Sequence, residues 1–445
     1  METCPLDVTF PFMEPSNPDV VIIGAGVVGA SIALELQRAG RSVTVVDKGE
    51  AVGGGSTSAS SALIRFNYST RSGVVAAWES LHLWKQWAKH LGPIEGPLVS
   101  FLQTGMLLIE PPEFDRAPYR KNFDALGIDY EELDNQAFAD RFPSLETGRF
   151  WPPVRPDQDQ FFADPAGLTG AFYTPQAGFI DDPQLAASNL MDAARRHGTI
   201  VRLRSEVAGI LRQGNQVTGV KLANGTSLTS SVVVNAAGPW SSQINLLAGV
   251  SDDVAMTPQA LRQEVHVVPA SDDFSLENNG LMVADLDLGF YMRPQSGGTM
   301  IVGGVEADCD PKVWVDDPDE FLETTTVDLW EAQVWRSARR LPSLAVPNRP
   351  VGLASLYDVT PDWTPIYDRT CLDGFYLACG TSGNQFKNAP LIGIMMETLI
   401  TACENGQNHD HEPVQVPCIQ TGLALDLGTF SRNRTPISST GTVLG

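Results

Sequence analysis

Residues 19–50 read DVVIIGAGVVGASIALELQRAGRSVTVVDKGE. A short β-branched run from Val20 to Ile23 enters a glycine turn, then a segment of helical periodicity, then a second apolar run that ends at Asp47. In the helical segment Ile32, Leu34, Leu36 and Ala39 make an apolar side, Glu35, Gln37 and Arg38 make a polar one, and Gly40 falls where a terminating glycine belongs. This is a complete β-α-β unit. Gly24, Gly26 and Gly29 form G-x-G-x-x-G between its strand and its helix, and Asp47 follows Gly29 by 18 residues. In that context Gly24 permits a tight turn, Gly26 lets the backbone approach a pyrophosphate, and Gly29 lets the helix pack close to the strand. The helix N-terminus offers N–H groups to the phosphates, and Asp47 is placed to accept hydrogen bonds from an adenosine ribose. The stretch predicts an α/β, Rossmann-like fold that binds a dinucleotide.

The rest of the chain fits such a fold. A length of 445 residues suggests two or three domain-sized units, and 43% hydrophobic against 19% charged residues supplies a core and excludes disorder. Lys and Arg number 30 against 53 Asp and Glu, so a formal charge of −23 repels nucleic acid and anionic lipid. The six cysteines form no C-x-x-C and no His/Cys cluster, which argues against a disulfide framework and against any metal site. The first 18 residues lack the pattern of a signal peptide, and no apolar run reaches the length of a membrane span. A cytoplasmic protein without membrane insertion is the expectation.

Apolar and glycine patterns return at VVVNAAGPW (232–240) and FYLACGTSGNQFKNAP (375–390), so the nucleotide unit is expected to be discontinuous: 17–99, 166–255 and 352–405. Period-two stretches separated by turns in 205–235 predict a three-stranded meander that feeds a buried strand. Residues 100–165 and 256–351, with strand-like pieces such as GFYMRP and TMIVGG and a helix around Glu320 to Arg340, predict a second, antiparallel-sheet α+β unit for substrate. Residues 406–445 are expected as a partly extended tail, frayed where periodicity is lost.

Five segments together carry a family resemblance: the fingerprint through Asp47, ALIRFNYSTRSGVVAAWESLHLW (62–84), VVVNAAGPW, LYDVTPDWTPIYD (356–368) and FYLACGTSGNQFKNAP. From about Asp19 to Thr401 the chain resembles the FAD-dependent amine and amino-acid oxidoreductases, which include monomeric sarcosine oxidase, glycine oxidase, D-amino-acid oxidase and the dimethylglycine dehydrogenases. The resemblance implies FAD as cofactor. It places against the cofactor Gly24, Gly26, Gly29, Asp47 and Lys48 of the fingerprint unit, Ser56, Thr57 and Ser58 of the Gly/Ser loop, and Val207, Ala237, Gly238 and Trp240. From the last glycine turn it adds Gly380, Gly383, Asn384, Gln385, Phe386 and Lys387.

The resemblance also implies a site for a small amino-acid or amine substrate. Arg65, in an I-R-x-x-Y context, and Lys387 match positions that pair with a substrate carboxylate, and the chemistry agrees, since an anion entering a desolvated pocket needs charge-assisted donors. A structural salt bridge for Arg65 and a solvated helix-start role for Lys387 stay open. Tyr357 and Tyr291 match positions that line the substrate side, with a core-aromatic role open for each. His266 lies on a strand of the second unit and is a further candidate. Two departures count. Ser355 stands where sarcosine oxidase has the cysteine that binds its flavin, so non-covalent FAD is expected. Ile301 or Val302 stands where that enzyme has its oxygen-activating lysine, which leaves a slow oxidase, another cation such as Arg293, or a dehydrogenase with a different acceptor. The implied reaction is oxidation of an amino acid or N-alkyl amino acid to an imine by hydride transfer to flavin N5, then hydrolysis, with electrons passing to oxygen or to an electron-transfer acceptor. The alternatives are a dehydrogenase of the same fold and a non-catalytic flavin-binding assembly factor.

Overall fold

Four consecutive buried residues, Val20–Ile23, occupy the middle of a sheet covered on both faces, which is why they read as an unbroken apolar run rather than an alternating one. The structure, a computed structural model, describes residues 17–93, 95–111, 114–437 and 442–443. Among these, a six-stranded sheet runs in the order Ile366–Arg369, Phe375–Cys379, Val232–Asn235, Val20–Ile23, Val43–Val46, Ile200–Arg202. Neighbours are parallel except the first pair. Val20 and Ile22 face helices Val27–Arg38, Pro183–Arg196 and Ala389–Glu404, while Val21 and Ile23 face the meander of Val207–Gln213, Gln216–Leu222 and Ser227–Thr229. Asp182 caps the Pro183 helix by accepting from Leu185 N at 2.9 Å, as the Asp-Pro start implies.

A nine-stranded, mostly antiparallel sheet forms the second layer, built around Gln259–Pro269, Thr299–Gly304, Phe290–Gln295, Met282–Asp285 and Met106–Ile109. Helix Val327–Arg340 packs on it. Arg340, wholly buried, ties this helix to the sheet through Asp285 Oδ2 at 2.6 Å and Asp287 Oδ2 at 3.0 Å. The helix starts later than the sequence suggests, because Thr326 accepts from Leu329 N and fixes the first turn there. Two strands also change company: Ala171–Thr174 and Gly352–Val359 pair within the nine-stranded sheet, although the expected boundaries at 166 and 352 assign them to the nucleotide unit. Alternation reveals a strand and is silent on which sheet it joins.

The tail differs most from expectation. Its residues 415–426 form a hairpin, Gln415–Cys418 with Leu423–Asp426, with Val416, Cys418 and Leu425 in the main core. Arg432, 4% exposed, binds Asp253 at 2.7 Å, Asp368 at 3.1 Å and Asp410 at 2.7 Å, and Arg434 grips Asp362 with two bonds at 2.8 and 2.7 Å. Docking combines this apolar packing with ion pairs that periodicity does not reveal. Replacing Arg432 with Ala leaves the fully buried Asp368 without its cation and should cost about 3–5 kcal/mol. A lower urea midpoint and faster proteolysis of the tail are expected; an unchanged midpoint would refute docking through Arg432.

Candidate functional site

A cavity of about 870 Å³ lies between the two sheets, within the size of cofactor and ligand pockets generally. One end is set by the first β-α turn. Gly24 has φ +113°, and a Cβ there would sit 2.2 Å from the Ala236 carbonyl oxygen, so only glycine lets these adjacent strand ends meet. Asp47 accepts from Ala25 N and Gly49 N, both at 2.6 Å, which orients its carboxylate at the cavity wall while leaving lone pairs for further donors. Thr57 Oγ1 accepts from Val27 N at 3.1 Å and so ties the Gly/Ser loop to the helix N-terminus. Ser56 Oγ donates to Leu356 O at 2.7 Å. Lys48 stacks over the Trp240 ring at 4.3 Å and pairs with Asp319, to which Trp240 also donates.

Gly24, Gly26, Asp47, Lys48, Ser56 and Thr57 line this end, with Val207, Ala237, Gly238 and Trp240 opposite. Gly383, Asn384, Gln385, Phe386 and Lys387 line the far end. Three expected contacts lie off the wall. Gly29 packs helix on strand, since its Cβ would stand 2.0 Å from Gly24 O. Ser58 Oγ donates to Gly55 O at 2.9 Å, and Gly380 shapes a turn in which a Cβ would meet Thr360 Cγ2 at 2.4 Å.

At the far end Arg65 and Lys387, 3% exposed each, converge on one tyrosine. The Arg65 guanidinium and the Lys387 ammonium each lie 5.1 Å from the centre of the Tyr68 ring. Lys387 Nζ donates to Tyr68 Oη at 2.9 Å and to Asn384 O; Arg65 donates to Asn67 O and Val443 O, both at 2.7 Å. Among the described residues no carboxylate forms an ion pair with Lys387. Burial, helped by the Arg65 charge, holds its ammonium well below the ordinary lysine range, and burial lowers Arg65 as well.

Tyr291 and Tyr357 also line the cavity, each seated on a glycine: a Cβ at Gly303 would meet the Tyr291 ring at 2.5 Å, and one at Gly383 the Tyr357 ring at 2.3 Å. Tyr291 Oη lies 2.6 Å from Ser61 Oγ, and burial pushes its hydroxyl up to about 12 and that of Tyr357 well above the usual value. Strand register pairs Tyr291 with Gly303 and Arg293 with Ile301, so Ile301, not Val302, shares the Tyr291 face. Arg293 is occupied, donating to Ser61 O at 2.9 Å and Pro294 O at 3.1 Å under the Phe179 ring. His266 is buried beside Glu264 and Arg262, away from the cavity, and held neutral to about pH 4 by burial.

Three groups at the site escape the sequence reading. Tyr68, which in the sequence marks only the context of Arg65, receives a hydrogen bond from Lys387 and lies beside the Arg65 guanidinium. Asp358, at the wall, is raised by burial and accepts from Thr381. Glu306 is buried behind Val443, and burial pushes its carboxyl up to about 7 against opposing contributions from the Val443 amide, Lys312 and Arg65. A glycine pair, Gly303 and Gly304, followed by an acid was the only local hint.

The fold and this cavity define a dinucleotide-binding oxidoreductase. The chain belongs to the FAD-dependent oxidoreductase (DAO) family, whose profile matches residues 19–399. It is 25% identical over 423 residues to sarcosine oxidase subunit beta of Arthrobacter sp, covering 93% of this chain and 94% of that one. It is 28% identical over 301 residues to 4-methylaminobutanoate oxidase (formaldehyde-forming) of Paenarthrobacter nicotinovorans, covering 67% of this chain and 33% of that protein. A mitochondrial sarcosine dehydrogenase of Mus musculus is 26% identical over 82% of this chain and 38% of its own. The chain therefore spans little more than a third of those last two relatives. In structure it resembles L-proline dehydrogenase from P. horikoshii, with TM-score 0.72 and 24% identity over 88% of this chain and 95% of that one. Glycine oxidase from Geobacillus kaustophilus gives TM-score 0.72 and 20% identity over 94% and 99%. FAD is the family's cofactor, and the glycine cradle at Gly24, the oriented Asp47 and the volume of the cavity fit it. No described helix is long and apolar enough to cross a membrane, and no described acid, His or Cys cluster is placed to hold a metal.

Two outcomes follow. Gly24→Ala should abolish the flavin absorbance of the purified protein, and a normal flavin band would refute the cradle. Because the Glu306 carboxyl is raised, its contribution to stability is complete below about pH 4.5 and is lost as pH rises through about 7, at a cost of about 3 kcal/mol. Between pH 5 and 8.5 the urea midpoint of wild type should therefore fall relative to Glu306→Gln; parallel profiles would contradict the buried acid.

Proposed function

We propose that the protein oxidises an amino acid or N-alkyl amino acid at the carbon attached to nitrogen, giving an imine that water hydrolyses. One observation carries this reading: at the end of a cofactor-sized cavity, two buried cations share one tyrosine, and Lys387 lacks a carboxylate partner among the described residues. An ammonium removed from water without a counter-ion is costly, and an anionic ligand relieves that cost. The substrate carboxylate is the group that fits. Its arrival favours the charged form of Lys387, so binding draws a proton to Nζ, while Arg65 supplies a planar pair of donors. Tyr291 and Tyr357, protonated at neutral pH, bound the space beside the carboxylate and keep water out. FAD, when bound, supplies the two-electron acceptor for a hydride.

That FAD is held non-covalently is supported by the wall, which among the described residues includes no cysteine and no histidine. A non-oxygen electron acceptor is the second reading, and Ile301 favours it, since the Tyr291 face lacks a lysine there.

Anaerobic addition of pooled N-methyl, cyclic and D-amino acids should bleach the flavin band, and slow recovery in air would support the second reading. Arg65→Met and Lys387→Met should each retain FAD and lower kcat/KM by roughly 10- to 100-fold, the worth of a hydrogen bond to a charged group. Variants that match wild type would refute the carboxylate assignment.

A further inference from the structure

Val443, at the cavity wall, joins Arg65 on that wall to Glu306 buried behind it. Its backbone N–H donates to Glu306 Oε2 at 2.7 Å, and its own carbonyl oxygen accepts from Arg65 Nη2 at 2.7 Å. The N, Cα and carbonyl carbon of a single residue thus span from a carboxylate to a guanidinium. That is the skeleton of an α-amino acid. Its isopropyl group packs on the buried cluster of Leu261, Val359 and Trp363. Glu306 has φ +55°, an uncommon conformation for a residue with a side chain, and its second oxygen accepts from Gln263 Nε2 at 3.1 Å.

From this geometry we infer that Glu306 is a catalytic residue whose carboxylate receives the N–H of the substrate amine, while Arg65 holds the substrate carboxylate, in the place that the Val443 backbone fills. The inference rests on the proposed oxidation of an amino acid and adds its amine side. An amino acid arrives as an ammonium carboxylate, and its nitrogen must hold a lone pair before the neighbouring carbon can give up hydride. In the step assigned to Glu306 an N–H bond breaks, an O–H bond forms on the carboxylate, and the electron pair stays on nitrogen. The group is suited to hold a proton at neutral pH, since burial lifts it to about 7 while Lys312 and Arg65 oppose that rise and Asp310 adds to it. Tyr291 and Tyr357 face it in their neutral forms, and Gln263 offers its amide. Val443 and substrate then compete for the same two partners.

The test uses full-length holoenzyme. Acetate has a carboxylate and no amine; by perturbation of the flavin spectrum it should bind wild type and Glu306→Gln within about twofold, because Arg65 and Lys387 hold it. For the amino acid that bleaches wild type best, kcat/KM should fall by about 100-fold or more in Glu306→Gln, and the rise in kcat/KM on crossing about pH 7 should vanish. Val443→Pro removes the competing N–H, and KM should drop several-fold. Wild-type kcat/KM and pH profile in Glu306→Gln, or equal loss of acetate and amino acid, would overturn the inference. Should Glu306→Gln fail to hold FAD, Val443→Pro decides: an unchanged KM overturns it. A wild type bleached by no amino acid counts instead against the proposed function, which separates the two failures.

Discussion

The carbonyl oxygen of Ala236 stands 2.2 Å from where the Cβ of any residue other than glycine at position 24 would be, and the rest of the site is arranged around that contact. It lets the parallel strands Val20–Ile23 and Val232–Asn235 end side by side, with a helix N-terminus opening between them and Asp47 held across the gap by two backbone donors. Ligands of open α/β sheets lie outside the carboxyl ends of the strands, and here that crevice extends toward the second sheet. The glycine-fingerprint end and the Arg65–Lys387 end are thus one cavity.

The far end has the opposite problem. Arg65 and Lys387 are buried near each other; burial lowers both, the Arg65 charge lowers Lys387 further, and the carbonyls of Asn67, Asn384 and Val443 and the Tyr68 hydroxyl offset part of that cost. Dipoles hold the Lys387 ammonium in position without an ion pair among the described residues, and the proposed substrate carboxylate would meet an oriented pair of donors there.

The chain as a whole carries −23, so the field at long range opposes anions while the pocket attracts them. For a zwitterionic amino acid, the proposed substrate, these do not conflict: it has no net charge, and screening beyond about 10 Å leaves only the local pocket to sort its two ends. The geometry at Val443, with an acid facing N–H and a guanidinium facing C=O, is that sorting in miniature.

The β-α-β unit, its glycines and the acid after the second strand were legible in sequence because their spacing is dictated by bonds within about thirty residues. Arg65, Lys387, Tyr291 and Tyr357 were legible as candidates only through resemblance; that they face one cavity follows from the fold, since Lys387 reaches Tyr68 across 319 residues of chain. The meander and the Asp-Pro helix start also follow from local chemistry. Sheet membership of Ala171–Thr174 and Gly352–Val359 does not, because period-two alternation is the same in either sheet. Nor does the docking of the tail, which depends on Arg432 meeting acids from three distant segments. Sequence alone determined the nucleotide-binding unit and the chemical types available to the site. Tertiary structure alone decided that Glu306 is buried within reach of Arg65 and that Val443 lies between them, because burial and long-range proximity are properties of the packed chain rather than of any local pattern.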